Sequence, residues 1–239
     1  MKKMILIISA LILSGNIASA AADSHNQTHT MENPTMKMNY DYLAVIPLFD
    51  LMAPVDVLTS QKFRTYSECE KFAHDIMMGD NSAYLTTDAG NIFAVYMTLH
   101  HEAAIITSSG IKDITKDPKV ADLAARIIKA QSTEVQDMQE LIKSDALTGN
   151  DSTSFQKSME NIMGNMMKKM KLPSGKLTPD QATQVFLENM IVHHEGAVEM
   201  AKAYLKTGKN KKLINISKNI LATQPAEIKE MQNLLKNSR

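Results

Sequence analysis

The chain repeats itself. Phe93-Ala-Val-Tyr-Met97-Thr-Leu-His100-His101-Glu102-Ala-Ala104 returns 93 positions later as Phe186-Leu-Glu-Asn-Met190-Ile-Val-His193-His194-Glu195-Gly-Ala197. The match continues without a gap: Gln131, Glu134, Met138 and Leu141 stand at the same offset as Gln224, Glu227, Met231 and Leu234. An internal repeat constrains a fold more than any local signal, and a unit of about 50 residues requires its copies to share one architecture. Apolar positions recur in a duplication simply to keep a core. Paired histidines inside an apolar helical face need another reason, and two related metal sites are the expectation.

The hydrophobic spacing throughout 65–239 is helical, and no segment shows the strict alternation of a half-buried strand. The pattern predicts helices over about 67–79, 88–108, 117–144, 154–171, 178–206 and 211–236 by these periodicity and capping rules. Ser67 with Glu70 reads as a capping box, and Gly79 as a residue just past a helix end. Asp88 reads as an N-cap, and Asp117-Pro118 and Thr178-Pro179 place proline at a first helical position. Pro225 lies inside the last of these, so either that helix bends at Gln224 or a new one starts at Pro225. The expected fold is all-α, a helical bundle built from two repeated three-helix units with a flexible N-terminal Met/His tail.

Five segments follow: a signal peptide at 1–20, a Met/His-containing tail and extended segment at 21–64, a first, degenerate repeat at 65–145, a linker at 146–153, and a second repeat at 154–239. Lys2 and Lys3, the apolar run from Met4 to Leu13 and Ala18-Ser19-Ala20 have the form of a cleaved export signal, which predicts a periplasmic protein; the alternative is a retained anchor. Removing Lys2 and Lys3 leaves two more acidic than basic residues, no footprint for nucleic acid. No other stretch is long enough to cross a membrane. Cys69 is the only cysteine, so no internal disulfide can form. Pro47 and Pro54 break 41–64, which is expected to lie extended across the helical body.

Methionine is the abnormal component: 18 residues, against no Trp and six Phe. Met fills core gaps, but thioethers are also soft ligands that select Cu(I). Met31, Met36 and Met38, with His25 and His29, sit in a polar tail that has no core to fill, which favours the second role. Within each repeat, about 100° per residue puts Met190, His193, His194 and Met200 on one broad helical face. Met97, His100 and His101 match them, with Thr107 where Met200 stands, so the second site is expected to be the softer.

On the partner helices, Gln224, Glu227 and Met231, and likewise Gln131, Glu134 and Met138, share a face. They are placed to bind, or to orient a ligating imidazole by accepting its other N–H. Met159, Met163, Met166 and Met170 form a stripe beside Met167. At an offset of 92, His74 and Met78 fall at the positions of Met166 and Met170, making His74, Met77 and Met78 further candidates. Glu102 and Glu195 are expected to point away into solvent.

The run Phe186-x3-Met190-x2-His193-His194-Glu195-Gly196-Ala197-x2-Met200-Ala201, followed by Gln224-x2-Glu227-Ile228-x2-Met231, resembles the family known as domain of unknown function 305. The resemblance implies a ferritin-like four-helix fold. It also implies kinship with exported, Met- and His-rich bacterial proteins that bind copper and contribute to copper resistance. The second repeat carries the motif over about 60 residues; the first is a second, degenerate copy.

These readings converge on a non-enzymatic periplasmic copper protein. It would bind Cu(I), with Cu(II) or Ag(I) as further ions, for sequestration, resistance or transfer. Its partners would be the ions and a periplasmic copper transporter or efflux component. Binding should weaken below about pH 6, as imidazole protonates. Two alternatives stand beside it. One is a ferritin-like di-metal oxidoreductase, although the chain has no Glu-x-x-His. The other is a helical interaction module that uses Met as a pliable docking surface.

Overall fold

The computed structural model describes residues 51–79, 81–144, 146–147 and 152–237. The expected export signal and the tail residues His25, His29, Met31, Met36 and Met38 lie outside them. The described residues fall in one compact unit and form seven helices: α1 (Val55–Thr59), α2 (Tyr66–Met77), α3 (Ala89–Lys112), α4 (Pro118–Lys143), α5 (Thr153–Met167), α6 (Pro179–Thr207) and α7 (Lys211–Asn237). The fold is all-helical, as the periodicity predicts.

Two antiparallel hairpins, α3–α4 and α6–α7, carry the architecture, and α3 packs against α6 between them. α2 lies on α3, while α5 lies on both α6 and α3. This explains a contrast in the sequence. α4 and α7 bury one stripe each, with Val120, Leu123, Ile127 and Val135 on one and Leu213, Ile216 and Ile220 on the other. α3 is buried along nearly its whole length, because neighbours surround it; an amphipathic stripe suits an outer helix, not a central one. The two central helices are tied where Phe93 stacks on Tyr204, with centroids 4.5 Å apart.

The helix starts at 88, 117 and 178 hold. Asp88 accepts from Asn91 N at 3.0 Å, Asp117 from Lys119 N at 2.8 Å, and Thr178 forms a capping box with Gln181. Three local readings change. The box that opens α2 is Thr65 with Glu68, two residues earlier than Ser67 and Glu70; the Ser67 hydroxyl donates instead to Gly175 O at 2.7 Å, and Glu70 is buried. α3 does not stop near Ser108 but continues through Gly110. A Cβ on Gly110 would come within 2.7 Å of Cys69 Sγ, so glycine here admits α2 rather than ending α3. α7 runs unbroken through Pro225; a second helix does not start there.

Of the segment expected to lie extended, 41–50 falls outside the described residues, and within the rest Val55–Thr59 forms a short helix with Pro54 as its N-cap. The chain leading into it is anchored by Gln139, whose Nε2 donates to Leu51 O at 2.9 Å and to Ala53 O at 3.1 Å. Beneath it, Glu102 is 3% exposed and accepts from the same Nε2 at 3.4 Å. The expectation that Glu102 points into solvent therefore fails, while Glu195, which has no such cover, is exposed.

Candidate metal centre

The four motif histidines meet in the middle of the bundle. Met97, His100 and His101 are fully buried on α3, and Met190, His193 and His194 are nearly so on α6. The rings of His100 and His193 approach to 3.5 Å between centroids at 43°, and His100 and His101 are 5.8 Å apart. The repeated motif therefore has its two histidine pairs at one crossing rather than at two separated sites. This follows from α3 packing on α6 through the face that carries the repeat.

The outer helices hold one histidine of each pair. His101 Nε2 lies 2.8 Å from Glu134 Oε2, and His194 Nε2 lies 3.0 Å from Glu227 Oε2. An ionised carboxylate can only accept, so Nε2 is the donor, and in the neutral imidazole that tautomer leaves the lone pair on Nδ1. This is the orienting arrangement of metal-ligating histidines. Gln131 and Gln224, one turn earlier, are buried with Oε1 unpartnered.

Six imidazole nitrogens at this centre have no hydrogen-bond partner: both of His100, both of His193, and Nδ1 of His101 and His194. Each buried polar group left unpaired costs about 1–3 kcal/mol, and such groups are few in native proteins. Burial holds the His100 and His193 imidazoles well below their usual range, and the neighbouring rings push the same way. Both are therefore neutral near pH 7, the form that can donate a lone pair to a metal. Sulfur adjoins them. A Cβ on Gly196 would stand 2.7 Å from Met166 Sδ and 3.5 Å from His100 Nε2, so glycine in the second motif is what lets a thioether and an imidazole approach.

That contact also corrects the pairing of α2 with α5. Ala73 lines a small cavity with Ala103 and His193, as Met166 adjoins Gly196 and His100. The offset of 93 therefore continues into these helices, and Ala73, not His74, is the counterpart of Met166. His74 is half-buried, its Nδ1 3.7 Å from Asp75 Oδ1, and Met78 is 61% exposed.

Met159, Met163, Met166, Met200, Met138 and Met231 are buried, and Met77 lies with Met170 and Met190 on the cavity wall. Met167 and Met170 are half-buried. Among the described residues no group of three or more His, Cys, Asp or Glu side chains is arranged to hold a metal. An ion at this centre would have to draw on methionine sulfur as well.

Sequence reasoning missed Glu70 and Asn189. Glu70 is 1% exposed, and Asn189 Nδ2 donates to its Oε2 at 2.9 Å. Burial pushes its carboxyl up to about 7, even though the Tyr66 hydroxyl and Asn189 both work to lower it. The signal was present: Glu70, Ala73 and Met77 are spaced i, i+3, i+7 on the inner face of α2, but the capping reading claimed Glu70 first.

The model of the family described as Domain of unknown function (DUF305) matches residues 87–235, a single span that takes in both His-His-Glu motifs. A crystal structure of a DUF305 protein from Streptomyces coelicolor, described as secreted, is similar at a TM-score of 0.53 and 26% identity; the alignment covers 64% of this chain and 94% of that one. No curated protein matches. No helix among the described residues is long and apolar enough to cross a membrane.

Proposed function

The chain belongs to the Domain of unknown function (DUF305) family, and within it we propose that this protein is an exported copper-binding protein of the periplasm. It binds Cu(I), with Ag(I) as a close mimic and Cu(II) as a weaker guest, and holds the ion for sequestration or hands it to a transporter or efflux component. It is a carrier, not an enzyme. The observation that carries this reading is the set of unpartnered nitrogens on four buried imidazoles, beside the Met166 sulfur. Hydrogen bonding elsewhere does not account for them, and copper accepts imidazole and thioether together.

The residues divide the work. His100 and His193, neutral through burial, present nitrogen at the crossing of α3 and α6. Glu134 and Glu227 fix the tautomers of His101 and His194. Met166 and Met190 supply buried sulfur beside them, and Met97, Met163 and Met200 are further buried thioethers of α3, α5 and α6. Export is supported by the leader-like residues 1–20 and by the similarity to a protein described as secreted; the tail residues His25, His29, Met31, Met36 and Met38 would then capture ions outside the bundle.

The test is a Cu(I) titration of the purified chain against a competing chelator, with His100→Ala plus His193→Ala as the comparison. Loss of tight uptake in the double variant is expected. Uptake unchanged by that substitution would remove the reading.

A further inference from the structure

The layer facing the histidines is where the repeats diverge. Met163, Met166 and Met200 correspond, 93 positions earlier, to Glu70, Ala73 and Thr107. On the His100 side the Met166 sulfur reaches the backbone of α6 at Gly196. On the His193 side alanine and threonine leave that volume open as a cavity of about 10 Å³, room for one guest of about a water's size.

The cavity wall includes Glu70, Met77, Met170, Met190 and His193. Two of these are buried polar groups short of partners. Glu70 Oε2 is held by Asn189 and the Tyr66 hydroxyl also bears on the carboxyl, yet Oε1 lacks a geometrically formed hydrogen bond. His193 has none at either nitrogen. A void lined by three thioethers, one imidazole and one carboxylate is an unusual use of a core, because a carboxylate is almost never fully buried unless paired.

We propose that this cavity is a second metal site, taking one soft monovalent cation, Cu(I) or Ag(I), on Glu70, Met77, Met170, Met190 and His193. It rests on the copper reading for its ion and borders the same crossing through Met190 and His193, but Glu70, Met77 and Met170 are ligands of its own. Glu70 and Met77 belong to α2, which precedes the span matched by the family model. The thioethers and imidazole match a soft ion. The Glu70 carboxylate supplies the one negative charge that lets a monovalent cation leave water without an uncompensated charge in the core. The His100 side has methionine at the position of Glu70, so the two sites differ in compensating charge as well as in shape.

The full chain is loaded with Ag(I), and retained ions are counted by native mass spectrometry under competition with free methionine. Glu70→Gln, which keeps the size of the side chain and the link to Asn189, and Met77→Leu, which keeps the volume, are each expected to lose one ion relative to wild type, or to release it at least tenfold more readily. Met166→Leu is expected to lose a different ion and to keep that one. If Glu70→Gln and Met77→Leu both hold ions like wild type while Met166→Leu loses one, the second site is overturned and the copper reading stands. A wild-type chain that retains no Ag(I) overturns both. Circular dichroism checks each variant for folding, and should Glu70→Gln unfold, Met77→Leu decides alone.

Discussion

The α3–α4 and α6–α7 hairpins carry matching residues 93 positions apart, and they differ in an uneven way. What orients the histidines stayed symmetric: His101 with Glu134 and His194 with Glu227, at 2.8 and 3.0 Å. What surrounds them did not. The first hairpin is roofed by the segment around α1, which buries Glu102; the second leaves Glu195 in water. α5 presses Met166 toward His100, whereas α2 presents Glu70 and Ala73 toward His193. A duplicated site can thus keep the geometry of its imidazoles while each copy draws its remaining neighbours from a different helix.

The largest effect should come from the contact that makes the halves one body. Tyr204→Ala removes a ring that stacks on Phe93 and also lies 6.2 Å from Phe155. A loss of about 4 kcal/mol is expected, typical of a fully buried aromatic truncated to alanine. Urea denaturation should still show one transition; two would mean that the hairpins fold independently and the comparison is between separate units.

Next come the opposed responses to pH. The folded-state pKa values of His100 and His193 are depressed, so below the ordinary imidazole value of about 6.5 the unfolded chain binds more protons and stability falls as pH drops. The same depression keeps these imidazoles neutral, and able to take copper, to lower pH than the value of about 6 expected of exposed histidines. Glu70 acts in the other direction. Its folded-state pKa rises from 4.5 to about 7, so the folded chain binds more protons across that window and stability falls as pH rises through it. Glu70→Gln should therefore gain on wild type between pH 5 and pH 8 by on the order of 3 kcal/mol, read from urea midpoints at the two pH values. An equal gain at both would show that the carboxyl is not held out of water.

Smaller and more selective are the orienting carboxylates. Glu134→Ala and Glu227→Ala should each weaken Cu(I) affinity by roughly 10- to 100-fold, the usual consequence of removing a ligand's hydrogen-bonded support, as measured by chelator competition. Similar losses would mean that the centre uses both halves equally; a loss from only one would identify the half that holds the ion.

Gly196→Ala sets a Cβ 2.7 Å from Met166 Sδ, so the sulfur must move. Cu(I) affinity should drop several-fold with a stability change within about 1 kcal/mol, because helical alanine offsets the crowding. The mirror change Ala103→Gly should leave affinity unaltered. The smallest pair tests the roof: Glu102→Ala should cost about 1–2 kcal/mol for the hydrogen-bonded group it removes, and Glu195→Ala less than about 0.5 kcal/mol as an exposed substitution.

Most of the fold was legible because its signals are local. Asp88, Asp117 and Thr178 cap within three residues of themselves, and the repeat forces both hairpins to share one form. Errors arose where a local signal had a distant competitor. Ser67 looks like a cap, but its hydroxyl serves Gly175 across the molecule. The helix expected to end near Ser108 runs on through Gly110, which makes room for Cys69. Pro225 suggested a break, yet α7 continues through it.

By itself, then, the sequence determined the helices, the repeated motif and the residue types that gather at the centre, since periodicity and capping act within a few turns of chain. Only the tertiary structure decided that the histidine pairs meet at a single crossing, that Glu70 turns inward, and that Ala73 rather than His74 faces His193. Those outcomes depend on which helix face packs on which neighbour, and that is set by contacts between residues about 90 or more positions apart, beyond the reach of any local pattern.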